Sequence, residues 1–336
     1  MKPTIRDVAK YANVSISTVS RVMNAPNTVV EAKRNRVLEA IEHLQYQPNG
    51  FARGLIYKKS DTLGVMIPDI ENPYYGGLLR GMQDAAVSLN CSLMICNTDR
   101  DRNRMISYIR SFYEKQVDGI IFVSDALHPE YYAEMKRYHF PIVLASTAAT
   151  EFNIPSVDVN NEQGSYDAVK YLIELGHRRI GMISFPTSDM ISGITRLSGY
   201  QRALQEAGLE ACIDNVEFAQ HRFEEAYHAT AKLLIKHRDL TAIFTASDEF
   251  AMGAISYIHE QGGSVPDTIS VIGFDNIRMA SMFIPKLTTI AQPVYEIGVR
   301  TVEKLYALIT SGEMSVVREK LPHQLIIRDS VKKINE

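Results

Sequence analysis

Arg196 stands beside an uncharged stretch, Ser192-Gly193-Ile194-Thr195, and so puts a planar fork of donors where no neighbouring carboxylate explains it. Such a fork suits adjacent oxygens of a ligand. Asp248 and Asp275, each following an apolar run, supply acceptors, and Tyr74 and Tyr75 supply flat faces. Ser124-Asp125, Ser146, Ser247, Asp69 and Asn72 add short polar groups at similar positions. His221 and Arg222 find no partner in the sequence around them. Together these residues suit a polyhydroxylated or anionic small molecule. Each also has a plainer reading: Asp248 as a helix cap, Asp275 as a turn former, the tyrosines as core, Arg196 on a solvated face. No Gly-x-Ser-x-Gly elbow, His-Glu-x-x-His pair, Walker loop or post-strand Gly-x-Gly-x-x-Gly is present. The nine histidines lack metal-ligand spacing. The expectation is a binding protein, with no enzyme activity, metal or cofactor.

These residues need a scaffold. From Thr62 onward, short apolar runs alternate with amphipathic stretches. The predicted strands are Leu63–Ile67, Ser92–Cys96, Gly119–Val123, Ile142–Ala145, Ile180–Ser184, Ala242–Thr245, Ile269–Gly273 and Thr289–Ala291. Helical patterns such as Tyr75–Asn90, Glu162–Gly176, Leu197–Gly208 and Phe250–Gly262 separate them. That alternation predicts parallel sheets covered by helices. Because the repeat restarts near Glu162, two doubly wound lobes fit better than the alternative, a closed eight-stranded barrel. In open α/β sheets ligands lie beyond the carboxyl ends of the strands, where the polar residues above fall.

The first sixty residues read differently. They hold ten Lys/Arg against four Asp/Glu, while the remainder of the chain is acidic. A cationic head on an acidic body is an electrostatic footprint for a polyanion. Thr4 caps a predicted helix Ile5–Tyr11, Asn13 takes a left-handed turn, and Ser15 caps a second helix, Ile16–Asn24. Val19, Val22 and Met23 face inward, leaving Ser17, Thr18 and Arg21 outside. A third helix, about Glu31–Leu44, buries Val37, Leu38, Ile41 and Leu44. The second helix is then free to enter a major groove. Residues 45–61, with Pro48, Gly50 and Gly54, predict a segment that is helical only when a partner holds it.

No apolar run approaches the ~20 residues that span a bilayer, and the chain opens on Lys2 and a polar helix rather than a signal segment. Cys91, Cys96 and Cys212 are too few for a disulfide framework. A cytoplasmic protein with reduced thiols is expected.

The run Thr4-Ile5-x-Asp7-Val8-Ala9, followed by Val14-Ser15-x-x-Thr18-Val19-Ser20-Arg21-Val22-x-Asn24, resembles the head of LacI/GalR-family transcription regulators. Tyr46-x-Pro48-Asn49-x-x-Ala52-Arg53-x-Leu55 is similar to that family's hinge, and Asn72-Pro73-Tyr74-Tyr75, Arg196-x-x-Gly199 and Gly273-Phe274-Asp275 continue the likeness. Gly273-Phe274-Asp275-Asn276 and Gln292-Pro293-x-Tyr295-x-Ile297-Gly298 lean towards the catabolite-control branch. The resemblance implies an α/β protein with an N-terminal three-helix helix-turn-helix domain (residues 1–46), a hinge (47–60) and a two-lobed, periplasmic-binding-protein-like core (61–336). Lobe 1 would span about 61–161 and 292–322, and lobe 2 about 162–291 and 323–336.

It further implies a homodimeric repressor on a pseudo-palindromic double-stranded DNA operator, controlled by a sugar, sugar acid or sugar phosphate. DNA contacts would come from Thr4, Arg6, Ile16, Ser17, Thr18, Ser20, Arg21, Asn24, Asn49, Arg53 and Leu55. Effector contacts would come from Tyr74, Tyr75, Ser146, Arg196, His221, Ser247 and Asp275. Val30 stands where the third helix usually has a Ser cap, and Gln45 where a Gly is common. Ser146 replaces a frequent aspartate and His221 adds a positive charge, which favours an anionic effector. Glu303 stands near a family arginine that faces a phosphoprotein corepressor, and its like charge argues against that partner. A solute-binding protein is the second reading and a sugar-converting enzyme the third.

Overall fold

A parallel sheet has two faces to cover, and this chain solves that problem twice. The computed structural model describes residues 3–46, 59–149, 151–312 and 317–334. The chain divides into two compact units, Met1–Ser60 and Asp61–Glu336.

In the smaller unit, α1 (Ile5–Tyr11), α2 (Ile16–Asn24) and α3 (Glu31–His43) enclose Val8, Ala9, Ala12, Val19, Val22, Val37 and Ala40. Asp7 accepts from the Thr4 backbone N–H at 2.8 Å and from its hydroxyl at 2.7 Å, which fixes the start of α1. Asn13 takes φ 51°, and Ser15 accepts from the Thr18 N–H at 3.2 Å to begin α2. Val30 gives α3 no side-chain cap, and Gln45 takes the left-handed position after it at φ 47°. Leu38 departs from expectation: it is 51% exposed. The inward stripe is Val37, Ala40, Ile41 and Leu44, and a residue one step from Val37 is turned about 100° away from it.

The larger unit holds two open six-stranded sheets, so the barrel alternative falls. The strands are β1 (Thr62–Ile67), β2 (Ser92–Asn97), β3 (Gly119–Val123), β4 (Ile142–Ala145), β5 (Ser156–Val159), β6 (Ile180–Ser184), β7 (Val216–Phe218), β8 (Ala242–Thr245), β9 (Ser270–Asp275), β10 (Thr288–Ala291), β11 (Arg318–Leu321) and β12 (Gln324–Ile326). The first sheet runs β11-β5-β4-β3-β1-β2 and the second β12-β10-β9-β8-β6-β7, all parallel except the β10–β12 pair. All eight predicted strands are present. The four unpredicted ones, β5, β7, β11 and β12, are three or four residues long and hold polar residues, three of them at a sheet edge and β5 next to one.

Helices α4 (Pro73–Ser88) and α11 (Val294–Ser311) cover one face of the first sheet through Leu78, Met82, Ile297, Val302 and Leu305. Helices α5 (Arg102–Glu114) and α6 (Pro129–Arg137) cover the other through Met105, Ile109, Phe112 and Met135. Around the second sheet lie α7 (Asn161–Glu174), α8 (Gly193–Glu206), α9 (Phe223–Lys236) and α10 (Asp248–Glu260). Helices α4 and α11 meet at backbone distance: a Cβ on Gly298 would lie 2.2 Å from the Leu78 carbonyl, and one on Gly81 2.0 Å from that of Tyr295. The chain passes between lobes three times, from β5 into α7, from β10 into α11, and from β11 to β12. Those crossings set Val159, Asn161 and Gln292 on the wall of one cleft.

Candidate functional site

Strand ends that must turn sharply towards a ligand often adopt backbone states that ordinary residues avoid. Here Arg100, Ser124, Ser146 and Asp275 take φ values of 54°, 48°, 55° and 116°, and all four line the interlobe cleft. The cleft is lined mainly by polar and aromatic side chains from both lobes.

A chain of polar groups runs through it from one lobe to the other. The Tyr74 hydroxyl donates to Gln292 Oε1 at 3.3 Å. Its one proton being spent, the Ser146 hydroxyl 2.7 Å away donates to it. Gln292 Nε2 donates to Asp275 Oδ1 at 2.7 Å, and Arg196 Nη1 lies 3.6 Å from that same oxygen. Arg196 Nε and Nη2 both donate to Asn161 Oδ1, at 3.0 and 2.9 Å, and Nη1 donates to the Ala246 carbonyl. Its guanidinium carbon lies over the Phe274 ring, 3.8 Å from the centroid. Three protein-acceptor bonds thus fix the orientation of Arg196.

Burial governs the ionisation of this site. It raises the Asp275 carboxyl to about 6, against the pull of Arg196 and the Gln292 hydrogen bond. Burial likewise raises the Tyr74 hydroxyl and lifts that of Tyr75 to about 12. The expectation that His221 carries positive charge is corrected. Burial, then the Arg100 cation, press its pKa down to about 4, with Asp189 only partly offsetting them. Its ring stacks on Phe185 at 4.2 Å, with Nε2 3.5 Å from Asp189 and Nδ1 3.5 Å from Arg100 Nη2. Since arginine only donates, Nδ1 accepts and the Nε2 proton points to Asp189.

All seven sequence-predicted effector residues, Tyr74, Tyr75, Ser146, Arg196, His221, Ser247 and Asp275, line this cleft. Ser247 also caps α10, accepting from the Phe250 N–H at 3.2 Å. Asp248 neither caps nor lines: wholly buried, it accepts from Thr289 at 2.5 Å and the Ile277 N–H at 2.8 Å, bracing the wall from behind. Burial, then the nearby Asp275 charge, hold its carboxyl well above the ordinary range. Arg222 finds Glu71 at 2.7 Å and Asp69 at 3.4 Å, partners about 150 residues distant in sequence. Sequence reasoning missed Arg100, Asn161 and Phe185. Arg100 lies in the polar run Thr98–Arg104, which reads as a solvated loop.

In the smaller unit, α2 presents Ile16 (45% exposed), Ser17 and Arg21, with Ser20 and Thr18 half-buried and no carboxylate on the helix. The Ser17 and Thr18 hydroxyls lie 2.8 and 2.9 Å from Ser15 Oγ. Thr4 and Arg6 are exposed on and before α1. Asn24 ends α2, its side chain outside the description, and Asn49, Arg53 and Leu55 lie outside the described residues. No described helix is long and apolar enough to cross a membrane.

The pattern of the lacI family of bacterial regulatory proteins matches residues 4–49, and that of periplasmic binding proteins and the sugar-binding domain of the LacI family matches residues 60–329. Catabolite control protein A of Priestia megaterium is 38% identical, covering 99% of this chain and 100% of that protein. The ribose operon repressor of Halalkalibacterium halodurans is 34% identical over 98% of this chain and 97% of its own. Among solved structures, the Lac repressor dimer bound to operator and the anti-inducer ONPF matches with a TM-score of 0.88 at 27% identity, covering 99% of this chain and 100% of that one. With a helix-turn-helix unit ahead of a two-lobed ligand cleft, and relatives of this kind along its whole length, the chain belongs to the LacI family of transcription regulators.

Proposed function

We propose that this regulator is a homodimeric repressor of carbohydrate-related genes. It binds a pseudo-palindromic double-stranded DNA operator through α2, with a sugar, sugar acid or sugar phosphate in the interlobe cleft controlling its affinity. The observation that carries the reading is the polar chain Ser146–Tyr74–Gln292–Asp275–Arg196, which joins the two lobes across the cleft. A ligand touching both ends favours one lobe arrangement, and DNA affinity shifts by the difference in its affinity for the two, typically 1–3 kcal/mol. In the head, Thr4, Arg6, Ile16, Ser17, Thr18, Ser20, Arg21 and Asn24 serve the operator, with Asn49, Arg53 and Leu55 in the hinge. Leu55 acts there as a minor-groove wedge.

Exposed apolar side chains support a dimer through the α4 side and the 280–284 segment: Val87 is 60% exposed, Met282 64% and Ile284 86%. The Lac repressor relative is itself a dimer on its operator. Two-fold symmetry then mirrors the operator's palindrome. A phosphoprotein corepressor is not part of this reading. Glu303, 51% exposed and 3.6 Å from Arg300, would set a carboxylate against a phosphoserine. A DNA partner supports a cytoplasmic location.

The test is a gel shift of the full chain on selected operator DNA, with and without a sugar series, together with sedimentation equilibrium. Sequence-selective binding by a two-chain species that one sugar modulates is expected. A solute-binding protein would bind the sugar and shift no DNA.

A further inference from the structure

We infer that Arg100 reads an anionic group on the effector, so that the cleft selects a monosaccharide carrying a carboxylate or phosphate over its neutral parent. The inference rests on the effector-cleft reading above and concerns the opposite wall from Arg196.

Among the cleft-lining residues there are two guanidinium groups, Arg100 and Arg196, and one carboxylate, Asp275. Arg196 lies beside that carboxylate and commits three of its five N–H donors to Asn161 and Ala246. Its end of the cleft is balanced, and Tyr74, Ser146 and Gln292 there offer hydroxyl and amide groups fitted to sugar hydroxyls. Arg100 differs. Among the described residues its guanidinium makes one hydrogen-bond contact, a long one at 3.5 Å to neutral His221. An exposed arginine in the left-handed region lies at the cleft wall with most of its donors uncommitted.

Two carboxylates stand near without a hydrogen bond to it, although its charge acts on Asp125. Asp125 accepts from the Ala126 N–H at 2.8 Å, and Asp189 from the Ile191 and Ser192 N–H groups at 2.9 and 2.8 Å. Neither lines the cleft. Asp189 instead lies 3.5 Å from His221, whose ring packs on Phe185. Ser124, also left-handed and cleft-lining, stands on the wall of the first lobe with its hydroxyl hydrogen-bonded to that of Tyr75. An oxyanion between Arg100 and Ser124 would receive charge-assisted hydrogen bonds, while the ring hydroxyls extend towards Asp275.

The test uses the full chain in calorimetry at constant ionic strength. Its probes are glucose, gluconate, glucuronate, glucose 6-phosphate and fructose 1,6-bisphosphate, with inorganic phosphate as the bare anion. An anionic sugar is expected to bind at least about tenfold tighter than glucose. Arg100→Gln should remove that margin and Arg100→Lys keep part of it. The carboxylate and phosphate probes distinguish the two anion sources. A neutral sugar binding as tightly as every anionic one, or an anionic margin intact in Arg100→Gln, overturns the inference, as does binding by none of the anionic probes. Arg196→Ala separates the two levels. If it loses both neutral and anionic sugars while Arg100→Gln changes neither, the cleft reading stands and the Arg100 role falls. If Arg196→Ala changes nothing, the cleft reading fails first.

Discussion

The Arg196 guanidinium lies 3.6 Å from the Asp275 carboxylate, with side chains only 6% and 10% exposed, so each is the other's main counter-charge. Removing one member of a buried pair costs about 3–5 kcal/mol, because the survivor is left unpaired. Arg196→Ala should therefore lower the melting temperature and abolish effector response together. Arg196→Met with Asp275→Asn removes both charges, and should recover most of the stability but none of the effector binding. Recovery of ligand affinity in that double variant, measured by calorimetry, would show the pair to be structural only.

Asp158 gives a pH prediction with a definite sign. Burial raises its carboxyl to about 6, Lys320 at 3.9 Å only partly opposing. The folded state thus holds a proton that the unfolded state has released above its ordinary value of 3.8. Its contribution is greatest at low pH and is lost as pH rises through about 6, by an amount of order 2–3 kcal/mol. His177, lowered by burial, acts oppositely, its stability being lost as pH falls below 6.5. Melting curves of wild type and Asp158→Asn isolate the first effect. The variant should gain on wild type as pH rises from about 4 to 6 and hold that gain above, and parallel curves would refute the assignment.

How far the sequence shows this can be judged residue by residue. Apolar runs such as Ile120–Val123 disclose the central strands, since a strand buried on both faces must be apolar throughout. The edge strand β7 and short β11, with Glu217, Arg318, Glu319 and Lys320, carry no such mark. Cleft residues that break a local pattern, Arg196 above all, stand out in the sequence. Asn161 does not, because its role is to hold Arg196 from 35 positions away, and no local pattern encodes that pairing. His221 was visible as a residue but its charge was not, because protonation depends on burial and on Arg100 across the cleft.

Gly298 is required by helix packing. With its Cβ placed 2.2 Å from the Leu78 carbonyl, Gly298→Ala forces α4 and α11 apart. Overpacking of this kind costs about 1–3 kcal/mol. Urea unfolding should show a lower midpoint with an unchanged slope. An unchanged midpoint would mean that the helices do not approach this closely.

In the head, affinity and selectivity should separate. Lys10 is exposed in the last turn of α1, where it suits a phosphate, and Arg21 is exposed on α2, which bears no carboxylate to occupy it. Losing one phosphate contact lowers the slope of log affinity against log salt by about 0.9 and weakens binding to all sequences alike. Losing a guanine-edge contact costs about 1–3 kcal/mol on the operator and little elsewhere. Lys10→Ala should thus flatten the salt dependence on operator and random DNA equally, while Arg21→Ala should narrow the ratio between them. Titrations of both variants on both DNAs across a salt series decide the matter. Equal losses everywhere for Arg21→Ala would assign it to the phosphate backbone and leave base reading to Ile16 and Ser17 at the start of the helix.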